Sequence, residues 1–222
     1  TLKRVRPSMV ELKEEEPSLI FTKEDLIRED EELVRFRDER SLYGTLVHLL
    51  MEGAVILVKN GKELSEKRIR EIAETGKPEN EKILNEFIRI LTGVYETFKK
   101  GGYEQTWADK TLMHEEDLFK KLKSVEEVYT ELPFTLFVST KEPLFKELTE
   151  IFDLEKDKGL YVNGIIDLLY KEGDNYVIVD YKTDSSSVGM EKRHKPQLEL
   201  YKKILRSMLN LDTLPKAYLY HI

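Results

Sequence analysis

The sequence contains no cysteine. Disulfides, thiolate metal sites, iron–sulfur clusters and cysteine nucleophiles are therefore all excluded. The sequence also has no uncharged apolar run of about 18 residues, and no charged start followed by an apolar segment. These absences argue against a membrane span and a signal peptide, so we expect an intracellular, cytoplasmic protein that binds no membrane.

The chain also lacks a strong excess of charge of one sign. It has 36 Lys and Arg against 43 Asp and Glu, a net charge of −7. Such mixed charge is typical of a well-solvated surface and excludes a uniformly basic nucleic-acid binder. Nucleic acid stays open as a partner, because local basic patches and metal ions can offset the average. The 222 residues, 40% of them hydrophobic, suit one domain with insertions.

The first part of the chain is charged and then helical. Residues 1–40 have little apolar periodicity, so we interpret them as a linker or peripheral arm, with a short helix from Lys23 to Arg37. Residues 41–222 are predicted to form one domain, with a helical part at 41–123 and a sheet core at 125–222. Helices are predicted at residues 41–58, 62–75, 80–100 and 113–123.

The sheet core begins where β-branched and aromatic residues become frequent. Strands are predicted at residues 126–138, 160–170, 176–182 and 216–222. Pro133 implies that the first of them is an edge strand or contains a bulge. A short helix or loop is expected at 141–153, and an amphipathic helix at 196–209 is predicted to begin at Pro196. This order predicts an α/β fold with a central mixed sheet flanked by helices.

The stretch YVIVDYKTD at residues 176–184 places two charges in an otherwise apolar strand. Asp180 and Lys182 are two positions apart, so they share one face of the strand. The KEGDN segment before this strand suits a tight hairpin turn. A two-residue turn there would place Asp167 opposite Asp180, and Lys182 opposite Ile165.

Two facing carboxylates repel each other, and burial would raise the pKa of at least one unless a cation keeps both ionised. A divalent metal with oxygen ligands is one such cation. The alternative is that both acids lie at the solvated rim of the hairpin. Lys182 favours the metal site, because a metal and an ammonium group together suit phosphodiester hydrolysis. The metal lowers the pKa of a water, and the ammonium helps to orient it.

Several segments, in the right order, resemble the motifs of a known family. GIIDLL followed by VDYKTD resembles the Asp…(Asp/Glu)-x-Lys signature of the PD-(D/E)XK nuclease superfamily. The match is specifically to the RecB/AddA-type nuclease domain at the C-terminus of helicase–nucleases that process double-strand breaks. GTLVHLLME (44–52) resembles its histidine helix, ELPF (131–134) its glutamate strand, and QLELY (197–201) its Q-x-x-x-Y helix. RPS (6–8) is similar to a motif where that domain begins. The resemblance covers about residues 1–222 and implies a restriction-endonuclease-like core.

The resemblance implies a centre for Mg²⁺ or Mn²⁺, without an iron–sulfur cluster. The implied metal ligands are His48, Asp167, Asp180 and the backbone carbonyl of Tyr181. Glu131 would assist as a direct or water-mediated ligand, and Lys182 would position the attacking water. Without the resemblance, His48 would more simply be a core histidine, and Glu131 a surface carboxylate on an edge strand.

Substrate contacts are expected from the helix near the C-terminus. Gln197 and Tyr201 are four residues apart and share a helix face. The resemblance implies that they contact the substrate backbone or order the active-site loop; otherwise they are an ordinary polar pair on the surface. Three basic residues would form a phosphate-contacting lip or a solvated helix entry, namely Lys192, Arg193 and Lys195.

We therefore expect a metal-dependent DNA exonuclease that acts in double-strand-break repair. Its partners would be single-stranded DNA ends, a helicase domain in cis and a second nuclease/helicase subunit. The start at Thr1 favours a fragment of a longer protein over a stand-alone nuclease. The other alternative is a non-catalytic DNA-binding module that keeps the fold. Such modules typically lose an acid or the lysine, and all of these are present here.

Overall fold

The computed structural model describes residues 4–5, 31–100, 118–151, 159–183 and 189–221. The chain divides into two compact units, one formed by residues 13–100 and the other by residues 1–12 together with 101–222. The first unit is helical. The second contains the β-sheet.

Three helices are described in the helical unit, and they match those predicted. They are α1 (Glu31–Lys59), α2 (Glu66–Thr75) and α3 (Glu81–Lys99). The hydroxyl of Ser65 caps α2 by accepting a hydrogen bond from the Arg68 amide at 3.2 Å. Asn80 caps α3 by accepting one from the Ile83 amide at 3.0 Å. α2 and α3 pack on each other and α1 packs on both, because each helix has an apolar face to bury.

Helix α1 is longer than predicted, since it joins the described part of the segment expected at 23–37 to the apolar stretch at 41–58. Residues 23–30 lie outside the described residues. By length and composition alone, Leu42–Lys59 could cross a membrane. Leu50 and Met51 within it are completely buried, which is typical of a core helix in a globular unit.

The sheet unit is an α/β structure, as predicted. Its helices are α4 (Leu118–Ser124), α5 (Pro143–Ile151) and α6 (Met190–Leu209), and its strands are β1 (Arg4–Val5), β2 (Val128–Val138), β3 (Leu160–Glu172), β4 (Asn175–Lys182) and β5 (Lys216–His221). The order in the mixed sheet is β1-β3-β4-β5, and β2 pairs with β3. β3 is antiparallel to β2 and β4, whereas β4 and β5 are parallel. Among the described strands β2 pairs only with β3, so it is an edge strand, as Pro133 predicted.

Two predictions about the edges of this unit are wrong. The arm at 1–40 is not irregular throughout, since β1 pairs in parallel with β3 through Arg4–Tyr161 and Val5–Val162. Helix α6 begins at Met190, so Pro196 lies inside it and is not its first residue. Burial of the helix face on either side of the proline explains why the first turns form despite the lost backbone hydrogen bond.

The core of the sheet unit changes faces along β3. Before Asp167, the even-numbered residues of β3, such as Val162 and Ile166, belong to the core cluster. After Asp167 the odd-numbered Leu169 belongs to it, together with Ile178 of β4. α5 and α6 cover this cluster with apolar residues. Because side chains alternate along a regular strand, the row that contains Asp167 marks an irregularity in the sheet.

Candidate active site

The β3–β4 hairpin closes through a two-residue turn. Glu172 pairs with Asn175, and Gly173 between them has a φ of +59°, which glycine adopts without a Cβ clash. The pairs that follow keep the predicted register. The alignment of β3 with β4 is therefore confirmed.

The ladder between these strands ends just before the two aspartates. Its last described pair is Leu168–Val179. One step further along the same register, Asp167 and Asp180 are the facing positions. There the Asp167 side chain intervenes, since its Oδ2 accepts a hydrogen bond from the Tyr181 amide at 2.8 Å. A side chain thus takes a backbone donor at the point where the two strands separate.

The pairing predicted between Lys182 and Ile165 does not form in the described ladder. Lys182 pairs instead with His221 of β5. The physical reason is the Asp167 side chain, which occupies the Tyr181 amide one residue before Lys182. β4 therefore continues beside β5 alone from this point.

Glu131 of β2 is a third carboxylate in the row of Asp167 and Asp180. β2 and β3 keep one register on both sides of Glu131, but the Glu131–Asp167 pair itself is skipped. Glu131 has a φ of +46°. No residue is inserted, so this is a local left-handed kink and not a bulge. A left-handed conformation costs about 1–2 kcal/mol in a residue with a Cβ, and such strain is characteristic of functional sites.

The kink brings two of the carboxylates together. An oxygen of Glu131 and an oxygen of Asp167 lie within 4.8 Å of each other, and both side chains are half-buried. We call the three facing positions Glu131, Asp167 and Asp180 the acidic row. The sequence carries no signal for the kink, because glutamate is not among the residues enriched in this conformation.

Asp180 is buried, with 5% of its surface exposed. This burial argues against a freely solvated rim. The Lys182 Nζ lies 2.9 Å from Asp180 Oδ2, which confirms that the two side chains share a face. The contact lacks hydrogen-bond geometry, so within the described part of the chain Oδ2 has an ionic neighbour but no hydrogen bond. A buried carboxylate oxygen without a hydrogen bond is costly unless another ligand satisfies it.

Helix α6 supports the lysine. Gln197 is 3% exposed, and its Oε1 accepts a hydrogen bond from Lys182 Nζ at 3.2 Å. The Tyr201 hydroxyl, one turn further on, donates to the backbone carbonyl of Ile165 at 2.9 Å. The Gln197 side chain also hydrogen-bonds the Tyr201 hydroxyl. The pair is therefore part of a buried network that ties α6 to β3 and β4, and is not a polar surface pair.

The charges of the acidic row are felt by two buried tyrosines. Burial raises the pKa of Tyr201, and the nearby charges of Asp180 and Asp167 raise it further. The pKa of Tyr181 is raised by its burial first and then by Asp167. Both phenols therefore stay protonated beside the carboxylates at neutral pH.

The remaining predicted residues lie further from this network or in the other unit. Lys192 and Lys195 are exposed in the first turns of α6, and Arg193 is half-buried there. His194 between them is 5% exposed and was not singled out by the sequence patterns. His48 is half-buried in the middle of α1, in the helical unit, and its role as a metal ligand stays a prediction.

The acidic row has the chemistry of a divalent metal site. Its donors are carboxylate oxygens, which Mg²⁺ and Mn²⁺ prefer over softer metals. The Asp180 oxygen without a hydrogen bond is an unused donor in this set. The residues present therefore fit a hard divalent cation. An α/β fold with this row and one lysine beside it defines a candidate metal-dependent hydrolase.

The comparison with protein families agrees with this class. The sequence pattern of the PD-(D/E)XK nuclease superfamily matches residues 21–221. The chain belongs to this superfamily, which confirms the resemblance read from its motifs. Its α/β fold and its class, a nuclease, follow from that membership.

Curated relatives point to one kind of parent protein, and both of those described here are named as a subunit of an ATP-dependent helicase/nuclease. The chain is 36% identical over 95 residues to the relative from Thermoanaerobacter sp. (strain X514), and the match covers 41% of this chain and 7% of the relative. The protein of the same name from Clostridium perfringens (strain 13 / Type A) is 37% identical over 108 residues, covering 46% and 8%. The matched part is thus less than a tenth of either relative.

Proposed function

We propose that this chain is the DNA nuclease domain of a helicase–nuclease and hydrolyses phosphodiester bonds with Mg²⁺ or Mn²⁺. The observation that carries the proposal is the acidic row beside the buried Asp180–Lys182 pair. Three carboxylates in one row are electrostatically unfavourable unless a cation joins them. The names of the curated relatives, which combine helicase and nuclease, support the same assignment.

The metal would be held by the carboxylates of Asp167 and Asp180, with Glu131 as a direct or water-mediated ligand. His48 and the backbone carbonyl of Tyr181 are proposed to complete the set. Bound there, the cation would acidify a water and neutralise charge on the phosphate. The hydrogen bond from Tyr181 to Asp167 supports this arrangement, because it fixes the direction of one carboxylate.

Lys182 is proposed to orient the attacking water and to stabilise negative charge on the phosphate in the transition state. Its ammonium has three donors. One points to Asp180 and one to Gln197, so the side chain is held before substrate binds. Such preorganisation costs no rearrangement during the reaction. Gln197 and Tyr201 would act as positioning residues for the lysine and for the neighbouring strand.

The substrate is proposed to be DNA, entered from single-stranded ends and cut exonucleolytically. Lys192, Arg193 and Lys195 would contact phosphates at the entry to α6, so that affinity would fall with salt. The proposed partners are a helicase domain in the same chain and a second nuclease/helicase subunit. The proposed setting is double-strand-break repair in the cytoplasm.

A cleavage assay on end-labelled single- and double-stranded DNA, with and without Mn²⁺, tests this function. We expect metal-dependent cleavage that Lys182→Ala lowers by about 10²–10³-fold or more, since it removes a charge that stabilises the transition state. Lys171→Ala is the matched control, because Lys171 lies at the turn end of β3 and pairs with Glu127. The control should cleave as the wild type does.

Three results would contradict parts of the proposal. Undiminished cleavage by purified Lys182→Ala protein would exclude the lysine mechanism. Products from internal positions only would exclude an exonuclease. DNA binding without cleavage in either metal would instead support a non-catalytic binding module.

A further inference from the structure

The outer face of the β2–β3 ribbon carries a stripe of exposed side chains that the proposed mechanism does not use. The stripe consists of three facing pairs, Pro133–Ile165, Thr135–Asn163 and Phe137–Tyr161. We call it the aromatic stripe. Its members are the odd-numbered residues, whereas the even-numbered neighbours Phe134 and Val162 belong to the core cluster. The stripe therefore faces away from the core.

The apolar members of the stripe are unusually open to solvent. Ile165 is 49% exposed, Phe137 48% and Tyr161 36%. Scattered apolar residues on a surface need no explanation, but these three lie in one register along two paired strands.

The aromatic end of the stripe is built with fixed geometry. The rings of Phe137 and Tyr161 are tilted against each other with their centroids 5.2 Å apart. The Phe137 ring also covers the backbone of Gly159, where an added Cβ would lie 2.5 Å from Cζ of the ring. A side chain at position 159 would therefore displace this ring. The two rings form an exposed but ordered platform.

The stripe runs in register to the acidic row. The next pair of positions after Pro133–Ile165 is Glu131–Asp167. Successive rows on one face of a strand are about 7 Å apart, so the aromatic pair lies about 20 Å from the acidic row along the ribbon. A strand of nucleic acid laid on the stripe would reach the carboxylates directly.

We propose that the aromatic stripe binds the unstacked bases of a single DNA strand and aligns its backbone with the acidic row. This inference rests on the proposed nuclease function and adds a subsite to it. Exposed aromatic rings on a sheet bind single strands because each unpaired base has a free face for stacking, whereas the bases of a duplex do not. The polar middle row, Thr135 and Asn163, offers hydrogen bonds between the apolar rows.

The dimensions of the stripe favour DNA over a protein partner. It is two strands wide, which is about 10 Å, and three rows long. A stable protein interface buries about 800 Å² on each side, far more than such a ribbon presents. Stacking on single rings needs no such area.

Binding of a fluorescently labelled thymidine oligonucleotide to the 222-residue chain, measured by anisotropy in EDTA, tests the stripe without requiring catalysis. We expect Phe137→Ala and Tyr161→Ala each to weaken binding by about 5- to 150-fold, the range for losing one stacked base. An oligonucleotide of the same length with abasic sites should bind the wild type and both variants equally, because it cannot stack.

Matched variants separate stacking from general apolar contact and from unfolding. Phe137→Trp should retain binding, and Phe137→Leu should lose it although leucine is apolar. Tyr129→Ala removes an exposed tyrosine of β2 on the other side of Glu131 and should bind as the wild type does. Gly159→Ala should weaken binding with both rings still present. Thermal unfolding curves like that of the wild type would show that each variant is folded.

The outcomes distinguish the stripe from the nuclease proposal. Stacking-dependent binding without any cleavage would leave the stripe supported and remove the nuclease function. Cleavage with oligonucleotide affinities within about twofold of the wild type in folded Phe137→Ala and Tyr161→Ala would overturn the stripe and leave the nuclease standing. Unchanged affinity in those variants would assign this surface to a protein partner instead.

Discussion

The β3–β4 hairpin carries charged side chains at both ends, and only the turn end balances them. There Glu172 contacts Lys121 and also Lys216, the latter at 3.5 Å, while Lys171 contacts Glu127 at 3.3 Å. The pKa of Glu172 is lowered, first by its hydrogen bond with Lys121. These groups are largely accessible to water, so each pair stabilises the fold by only about 0–1 kcal/mol.

At the other end, negative charge is in excess and partly withdrawn from water. Among the described residues, the acidic row has three carboxylates, and Lys182 is the cation in contact with Asp180. Glu131 adds a strained backbone at the same place. Crowded charge and strain both reduce stability, so their presence here and absence at the turn mark this end as functional.

Asp180→Asn is the substitution with the largest expected effect. It removes one proposed metal ligand, and the lost transition-state stabilisation of several kcal/mol corresponds to a fall of about 10³-fold in cleavage rate. Glu172→Gln makes the same chemical change at the turn end and should leave the rate within about twofold. Initial rates on end-labelled DNA with Mn²⁺ measure both. Similar losses in the two variants would remove the distinction between the ends.

Glu131→Gly should separate stability from activity. Glycine adopts the left-handed conformation without the cost of about 1–2 kcal/mol, which exceeds its own entropic penalty of about 0.5–1 kcal/mol. The metal-free variant should therefore be more stable by about 0.5–1 kcal/mol, while its cleavage falls. Urea unfolding in EDTA measures the change.

Thr130→Gly is the control for that comparison, since residue 130 precedes the kink and does not have a positive φ. It should lose about 0.5–1 kcal/mol of unfolding free energy. A destabilised Glu131→Gly protein would show that the kink is not strained.

Tyr201→Phe has the smallest expected effect. Loss of the hydrogen bond to the Ile165 carbonyl should cost about 0.5–1.5 kcal/mol. Because the folded-state pKa of Tyr201 is raised, the tyrosine's contribution is complete below about pH 10 and is lost as the pH rises further. The difference in unfolding free energy between wild type and variant should therefore shrink above about pH 10. A constant difference at pH 7 and above pH 10 would contradict the raised pKa.

The hairpin shows how much of the fold local patterns could predict. Strand alternation and the KEGDN turn were sufficient for the register of β3 and β4, because a tight turn fixes the alignment of both strands. The start of α6 was not predictable, since a proline normally ends or begins a helix and here burial overrides it. β1 was missed because two residues carry no periodicity.

The site was predictable in its composition but not in its geometry. Asp167, Asp180 and Lys182 follow from spacing along two strands. The kink at Glu131 and the capture of the Tyr181 amide by Asp167 depend on contacts between strands, which no local pattern encodes. These departures from regular pairing lie at the acidic row, where function is expected to override local preference.

Calorimetric titration with Mn²⁺ tests most directly whether the acidic row is a metal site. The wild type and Glu172→Gln should bind Mn²⁺ alike, and Asp167→Asn should bind it at least about tenfold more weakly, because it loses an ionised oxygen donor. Equal binding by all three proteins, or no binding by the wild type, would contradict the account.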